Sequence, residues 1–477
     1  MNIDEAVDQA FAPLAAALSR VIFSTIPVGD AELPWIVLWL VGGASFFTVY
    51  LRGINVTGFA ESLRVLTGRR DQPDSAGEVS HFQALATALS GTVGVGNIAH
   101  VAIAISVGGP GAIFWLVVAG LLGMASKFTE CTLGVKYRRE NPDGSLSGGP
   151  MFYLHAGLAE RGWPRLGRVL AVYYAVCILV GSLGIGCMFQ SNQAYVQFVN
   201  VSGGDASFFA ERGWLFGLGL AFLVGLVILG GIRVIARVAS AIVPFMAVVY
   251  ALGALAVIAA NLERVPQALV WIVQGAFAPE GVAGGALGVM VLGFRRAAFS
   301  NEAGIGSAAV AHAAARARSP VEQGFVALLE PFIDTVVICT LTGLVITLTI
   351  YEPGVGAGGL TGVELTSAAF GTVLPGAPEM LAVVVMLFAY STMIAWSYYG
   401  LAGAIYVFGA RRATRVSFNL LFCASVVLGC ATRLDAVLDF SDSLVFAMAL
   451  ANVVGLYWLA PVVRSELLDY RRSLSEG

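Results

Sequence analysis

The sequence predicts an all-α membrane protein: about 11 transmembrane helices, set out as one extra N-terminal span and a five-plus-five inverted repeat with two discontinuous helices. Three observations predict it. The chain is 58% hydrophobic and 12% charged, whereas soluble domains are about 25% charged, so lipid is the solvent for most of its surface. Apolar stretches long enough to cross about 30 Å of hydrocarbon recur at 33–52, 82–107, 111–135, 169–198, 214–231, 236–260, 282–313, 322–350, 379–408, 414–431 and 441–463. The second and seventh of these are interrupted by polar, glycine-rich segments.

In chain order, Met1–Glu32 comes first. It carries Asp4, Glu5, Asp8 and Asp30 where a cleavable signal would be basic, and it reads as an amphipathic interfacial segment. Residues 33–80 hold the extra first span and a cytoplasmic loop. The first repeat occupies 81–281, the second 282–463, and a cytoplasmic tail fills 464–477. Cys131, Cys177, Cys187, Cys339, Cys423 and Cys430 all lie in apolar stretches without metal-ligand spacing and read as packing residues. A net charge of −3 excludes a nucleic-acid surface; the expected surroundings are membrane lipid. Nothing in the sequence sets an oligomeric state.

Orientation follows from Lys and Arg placement. Twenty of the 27 basic residues fall on one side: Arg52, Arg64, Arg69, Arg70, Lys136, Arg138, Arg139, Arg161, Arg165, Arg168, Arg233, Arg237, Arg316, Arg318, Arg411, Arg412, Arg415, Arg464, Arg471 and Arg472. The other side has Arg20, Arg212, Arg264 and Arg433. This puts the N-terminus outside and the C-terminus in the cytoplasm of a bacterial inner membrane.

The interruptions are Ser90-Gly91-Thr92-Val93-Gly94-Val95-Gly96-Asn97 and Phe299-Ser300-Asn301-Glu302-Ala303-Gly304-Ile305-Gly306-Ser307. Glycine weakens a helix by about 1 kcal/mol relative to alanine, and hydroxyls compete for backbone partners. Unwound backbone is tolerated in a bilayer only where it lines a cavity. Close helix packing through small residues is the other reading of such segments. The two segments stand five spans apart, each opening a five-helix unit, and the units run in opposite directions. That is an inverted-repeat transporter with its site at the paired breaks. Half-helix N-termini there suit a carboxylate, and released carbonyls suit a cation.

The stretch Gly91–Ala99, with Gly108-Gly109-Pro110-Gly111-Ala112-Ile113-Phe114-Trp115, resembles the alanine-or-glycine:cation symporter family. So do Phe299–Gly304 with Ala311-His312-Ala313-Ala314-Ala315, Leu329-Glu330-Pro331-Phe332-Ile333-Asp334-Thr335, and Trp396-Ser397-Tyr398-Tyr399-Gly400. The resemblance runs from about residue 80 to 410. It implies a fold similar to the neurotransmitter:sodium symporters and transport of alanine or glycine with sodium, in some members with protons. It further implies a substrate site at Thr92, Gly94, Gly96, Asn97, Gln190, Phe299, Thr392 and Trp396, and a sodium site at Ser90, Val93, Ser391 and Thr392. No cofactor is implied beyond sodium as coupling ion. The chain departs from the family's usual pattern at Val95, His100 and Leu401.

Other polar residues keep two readings. Ser391 and Thr392 either bind sodium or cap carbonyls one turn back. Glu302 either caps half-helix N–H groups or lines the permeation path. Arg295 and Arg296 either snorkel, or Arg296 pairs with Asp439 or Asp442 as an outer gate. Glu330 and Asp334 flank Pro331 and either fix a kink or belong to an inner gate. Lys127 and Glu130 read as a structural i,i+3 pair. His100 is either a packing residue or a proton-linked modulator. The four histidines make no His-Glu-x-x-His motif, which argues against an enzyme. The expected activity is sodium-coupled import of small neutral amino acids; the alternative is a proton-coupled carrier of another small amino acid or metabolite.

Overall fold

The computed structural model describes residues 3–28, 31–68, 77–141, 144–277, 285–352 and 359–476. Asp30, Arg69, Arg70 and the junction between 281 and 282 lie outside the described residues. The chain is almost wholly helical. It starts with α1 (Ile3–Ile22), a short antiparallel hairpin of β1 (Thr25–Val28) and β2 (Ala31–Pro34), and α2 (Trp35–Tyr50). Next come α3 (His81–Thr92), α4 (Gly96–Gly108), α5 (Gly111–Lys136), α6 (Pro150–Glu160), α7 (Pro164–Leu183) and α8 (Phe189–Val201). Then follow α9 (Gly213–Ile228), α10 (Gly231–Ala260), α11 (Val265–Phe277), α12 (Gly285–Asn301), α13 (Ala308–His312) and α14 (Pro320–Pro331). The last are α15 (Thr340–Thr349), α16 (Gly362–Gly371), α17 (Ala377–Phe408), α18 (Arg412–Ala431) and α19 (Leu434–Glu476).

Each of the eleven apolar stretches holds helix, but among the described residues eight helical spans, with α3–α4, α7–α8 and α14–α15 each taken as one, are long and apolar enough to cross a membrane. The difference has local causes. Helices α2 and α9 have 16 residues each, about 24 Å at 1.5 Å per residue. The seventh stretch is divided between α12 and α13. Leu226, Phe245, Val248 and Leu252 stand exposed along α9 and α10, as expected of a lipid-facing surface. Helix α1 does more than lie at an interface. Phe11 packs edge-on against Phe440 at 5.0 Å, and Asp4 and Asp8 accept the N–H groups of Gly213 and Arg433. Helix α19 continues past residue 463 to Glu476.

Local sequence sets the elements around the breaks. Ser80 and Gln83 form a reciprocal capping box that starts α3. Two segments are wound as π-helix, Gly184–Met188 between α7 and α8, and Phe332–Cys339 after Pro331. Proline has no N–H to give and crowds the preceding turn, which accounts for the second. Such widened turns redirect side chains, and here they lead into Gln190 and carry Asp334.

Candidate functional site

The first break falls between α3 and α4. Gly94 N–H, placed to close a turn on the Ser90 carbonyl, instead donates to Asn97 Oδ1 at 2.8 Å. Val95 N–H goes to Gln190 Oε1 at 3.2 Å. The carbonyls of Ser90 and Gly91 thereby lose their helical partners. Ser90 Oγ donates to the Ser391 carbonyl at 2.6 Å, which ties the break to α17. Thr392 Oγ1 is buried with no hydrogen-bond partner among the described residues. It lies so close to the break that a Cβ on Gly94 would stand 2.4 Å from it, and 3.3 Å from Gln190 Oε1. Only glycine permits this approach.

The second break begins three residues later than the sequence segment suggests, because Phe299, Ser300 and Asn301 still belong to α12. Glu302 turns the chain with φ 56°, followed by Gly304 and Gly306 at φ 87° and 89°. A non-glycine residue held in this region costs on the order of 1–3 kcal/mol. Glu302 is held by its side chain: it accepts from Ser307 Oγ and from Trp396 Nε1 at 3.1 Å. The loosened carbonyls find donors. Asn452 Nδ2 donates to Gly304 at 2.9 Å and Tyr174 Oη to Ile305 at 2.9 Å.

The two breaks meet. Asn97 Nδ2 reaches Ser300 Oγ at 3.2 Å and Asp334 Oδ1 at 2.6 Å, and Asp334 also accepts from Ser300 and Thr335. Cys339 sits at 3.3 Å from both Asn97 and Ser300. Phe299 lies beside Gly96 and against the His100 ring, with centroids 3.8 Å apart. Phe189 closes the group.

The structure thus brings Gly94, Asn97, Gln190 and Thr392 together, with Phe299 beside Gly96 and Ser90 tied to Ser391; Val93 N–H closes the last turn of α3 on the Leu89 carbonyl. Trp396 is fully buried on α17, its side chain packed so tightly on Gly186 that a Cβ there would lie 2.1 Å away. Thr92 Oγ1 bonds the Ala88 carbonyl of its own helix. Ser391 Oγ caps the Phe388 carbonyl at 3.0 Å. The Gly94 N–H, expected to meet a carboxylate, is engaged by Asn97.

On one side of the breaks an ion pair closes the bundle. Arg295 and Arg296 share Asp442 Oδ2 at 2.7 and 3.0 Å. Arg296 Nη1 stands 3.5 Å from His100 Nδ1. Asp439 instead accepts from Ser19, so Asp442 is the partner of the two possibilities. Arg295 also covers the Phe23 ring at 3.9 Å. On the other side, a cavity of about 470 Å³ opens among Glu78, Arg233, Val310, Tyr398 and Arg415.

One sequence reading is corrected. Lys127 does not pair with Glu130 one turn on. Its ammonium lies 3.2 Å from Glu330 Oε2, both side chains fully buried. Glu330 Oε1 meets His312 Nε2 at 2.5 Å. His312 Nδ1 meets Gln323 at 2.6 Å, and Gln323 contacts His81. Glu130 accepts from Asn452 at 2.9 Å. Intramembrane charges signal function by default, but nothing in helical spacing pairs residues of two distant helices. Ligand atoms of Cys131, His312 and Glu330 also fall within 4.8 Å of one another, which sequence spacing did not suggest; the Lys127 ammonium on Glu330 disfavours a metal cation there.

Comparison with known proteins decides the family. The model of the sodium:alanine symporter family matches residues 21–477. The chain belongs to the sodium:alanine symporter family. It is 38% identical to a sodium/alanine symporter of Methanococcus maripaludis over 91% of this chain and 93% of that protein. It is 34% identical to a probable sodium/glutamine symporter of Bacillus subtilis over 94% and 90%. The crystal structure of MhsT in complex with L-phenylalanine superposes with a TM-score of 0.54 at 13% identity, covering 82% of this chain and 99% of that one, a likeness of fold. Family membership makes this chain a transporter of amino acids with a cation, and a multi-pass membrane protein.

Proposed function

We propose that the protein imports small neutral amino acids, alanine and glycine, coupled to sodium by alternating access around the paired breaks. The observation that carries this reading is the buried Thr392 hydroxyl, unpartnered and pressed against the unwound backbone at Gly94. A buried hydroxyl without a partner costs about 1–3 kcal/mol. A monovalent cation held by Thr392 Oγ1 and by the carbonyls of Ser90 and Val93 removes that cost. Ser391 contributes through its carbonyl rather than its hydroxyl. Sodium bound there joins α3 to α17 and so binds the two faces of the carrier unequally, which coupling requires.

The substrate lies between the breaks. Its carboxylate takes the N–H groups at Gly94 and Gly96, displacing the Asn97 and Gln190 oxygens that now hold Gly94 and Val95. Phe299 and Trp396 limit its side chain. The Arg295/Arg296–Asp442 group is the outer gate, and the cavity at Arg233 and Arg415 is the inner vestibule. In this reading the N-terminus is outside and the C-terminus in the cytoplasm of a bacterial inner membrane, as the Lys and Arg placement supports, with 11 spans in an inverted repeat. The relatives named for alanine and for glutamine agree with a zwitterion site whose side-chain end varies.

Proteoliposome uptake of labelled alanine and glycine, with sodium and proton gradients imposed separately, tests the reading. Accumulation driven by sodium alone is expected. Accumulation driven only by protons would replace sodium with a proton as the coupling ion.

A further inference from the structure

We propose that Glu130 is a proton-binding site belonging to the second break. Three carboxylates, Glu130, Glu302 and Glu330, surround one ammonium, Lys127, and all four side chains are 0–1% exposed. With every group ionised and His312 neutral, the cluster holds two uncompensated negative charges away from water. The contacts of each carboxylate point to where a proton belongs. Glu330 has the Lys127 ammonium 3.2 Å from Oε2, an ion pair without a hydrogen bond that favours the ionised form, and His312 on Oε1. Glu302 has Ser307 on one and Trp396 on the other. Glu130 has Asn452 on Oε1 and no partner on Oε2. An ionised carboxylate can only accept, whereas a protonated one has an O–H, and burial without a partner favours the neutral form. The orphan oxygen of Glu130 is therefore where the proton sits.

The site reports directly to the break. The Asn452 amide that donates to Glu130 also donates to the Gly304 carbonyl, and its oxygen accepts from Tyr153. Loss of the proton places a charge beside backbone held at φ 87°. The titratable groups facing Glu130 are Lys127 and Cys131 on α5, Tyr153 on α6, Tyr174 on α7, Glu302 in the break and Glu330 on α14. From Glu330 the contacts continue through His312 and Gln323 to His81, buried at the start of α3. Sodium fits this position less well than a proton, because a proton needs one free oxygen, which Glu130 Oε2 offers, whereas sodium needs several oxygen ligands around it.

Infrared difference spectroscopy on the full chain in lipid reads the proton directly. A buried carboxylic-acid carbonyl band is expected at neutral pH, lost in Glu130→Gln and kept in Glu302→Gln. Where Glu130→Gln fails to fold, Glu130→Asp is expected to shift the band. A band unaffected by both Glu130 variants, or no band in the wild type, overturns the proposal. In uptake at saturating sodium, wild type is expected to lose activity as pH rises through the band's midpoint, and Glu130→Gln to be flat over that range with unchanged sodium activation. A Glu130→Gln carrier with a tenfold higher sodium requirement and an unchanged pH profile would make this a sodium site and also overturn it. The infrared result stands whether or not the ion at Thr392 is sodium, so the two readings fail separately.

Discussion

At the first break, backbone N–H groups turn to side-chain oxygens of Asn97 and Gln190, and the carbonyls of Ser90 and Gly91 are released. At the second, Ala303 N–H likewise turns to Asn301 Oδ1, but there the carbonyls of Gly304 and Ile305 are also taken, by Asn452 and Tyr174. The surroundings differ in the same sense. Hydroxyls and amides without charge face Gly94. Glu130, Glu302, Glu330, Lys127 and His312 surround the second. Neutral oxygens suit a monovalent ion and a zwitterion that must leave again. A charged cluster with an unpartnered carboxylate oxygen suits a fixed backbone and a bound proton. Two interruptions that match in chain position therefore differ in kind: in the proposed reading the first receives the travelling ligands, and the second supports them.

The comparison breaks most visibly at Lys127. Removing one partner of a buried ion pair costs about 3–5 kcal/mol. Lys127→Met is expected to lower the melting temperature of the purified protein strongly while leaving the sodium needed for half-maximal uptake unchanged. A shifted sodium curve with unchanged melting would mean the charged cluster handles the ion.

Next comes Gly94→Ala. Its Cβ would stand 2.4 Å from Thr392 Oγ1, whereas a Cβ on Gly96 would meet Phe299 at an ordinary 3.8 Å. Overpacking costs about 1–3 kcal/mol, so Gly94→Ala is expected to reduce initial uptake by roughly tenfold to a hundredfold and Gly96→Ala much less. Equal effects would remove the close approach to Thr392 from the account.

Trp396→Phe takes away the indole donor to Glu302 and opens space beside Gly186. Losing one buried partner costs about 1–3 kcal/mol. Alanine uptake is expected to weaken and leucine to gain as a competitor; unchanged leucine exclusion would place the side-chain limit elsewhere.

The smallest effect belongs to Ser391→Ala. Its hydroxyl caps the Phe388 carbonyl and touches the Met246 sulfur, the first a bond worth about 0.5–1.5 kcal/mol, and its carbonyl survives the substitution. Because that hydroxyl is not an ion ligand in this reading, sodium activation is expected to change less than about threefold, equivalent to about 0.6 kcal/mol.

Much of this was legible in the residues. Composition and apolar length located the helices, and glycines beside hydroxyls located both breaks, because each is a local property of a few consecutive residues. Adjacent Ser391 and Thr392 pointed to the ion site, yet their spacing could not show that one hydroxyl turns back to its own helix while the other meets Gly94. Pairings between helices were illegible for the same reason. Lys127 lies one turn from Glu130 in sequence, but the crossing of α5 with α14 gives it to Glu330. Two arginines facing Asp439 and Asp442 offered two gates, and Ser19 on α1 removes one of them. The sixteen-residue lengths of α2 and α9 depend on where flanking turns begin, which hydropathy does not mark.

Sodium at the first break is tested by one titration, the sodium dependence of alanine uptake by Thr392→Ala in proteoliposomes, beside wild type. Removing the orphan hydroxyl is expected to raise the sodium needed for half-maximal uptake about tenfold, equivalent to about 1.4 kcal/mol, with maximal uptake largely kept at high sodium. A Thr392→Ala curve superimposed on wild type would contradict the assignment of the ion to the first break.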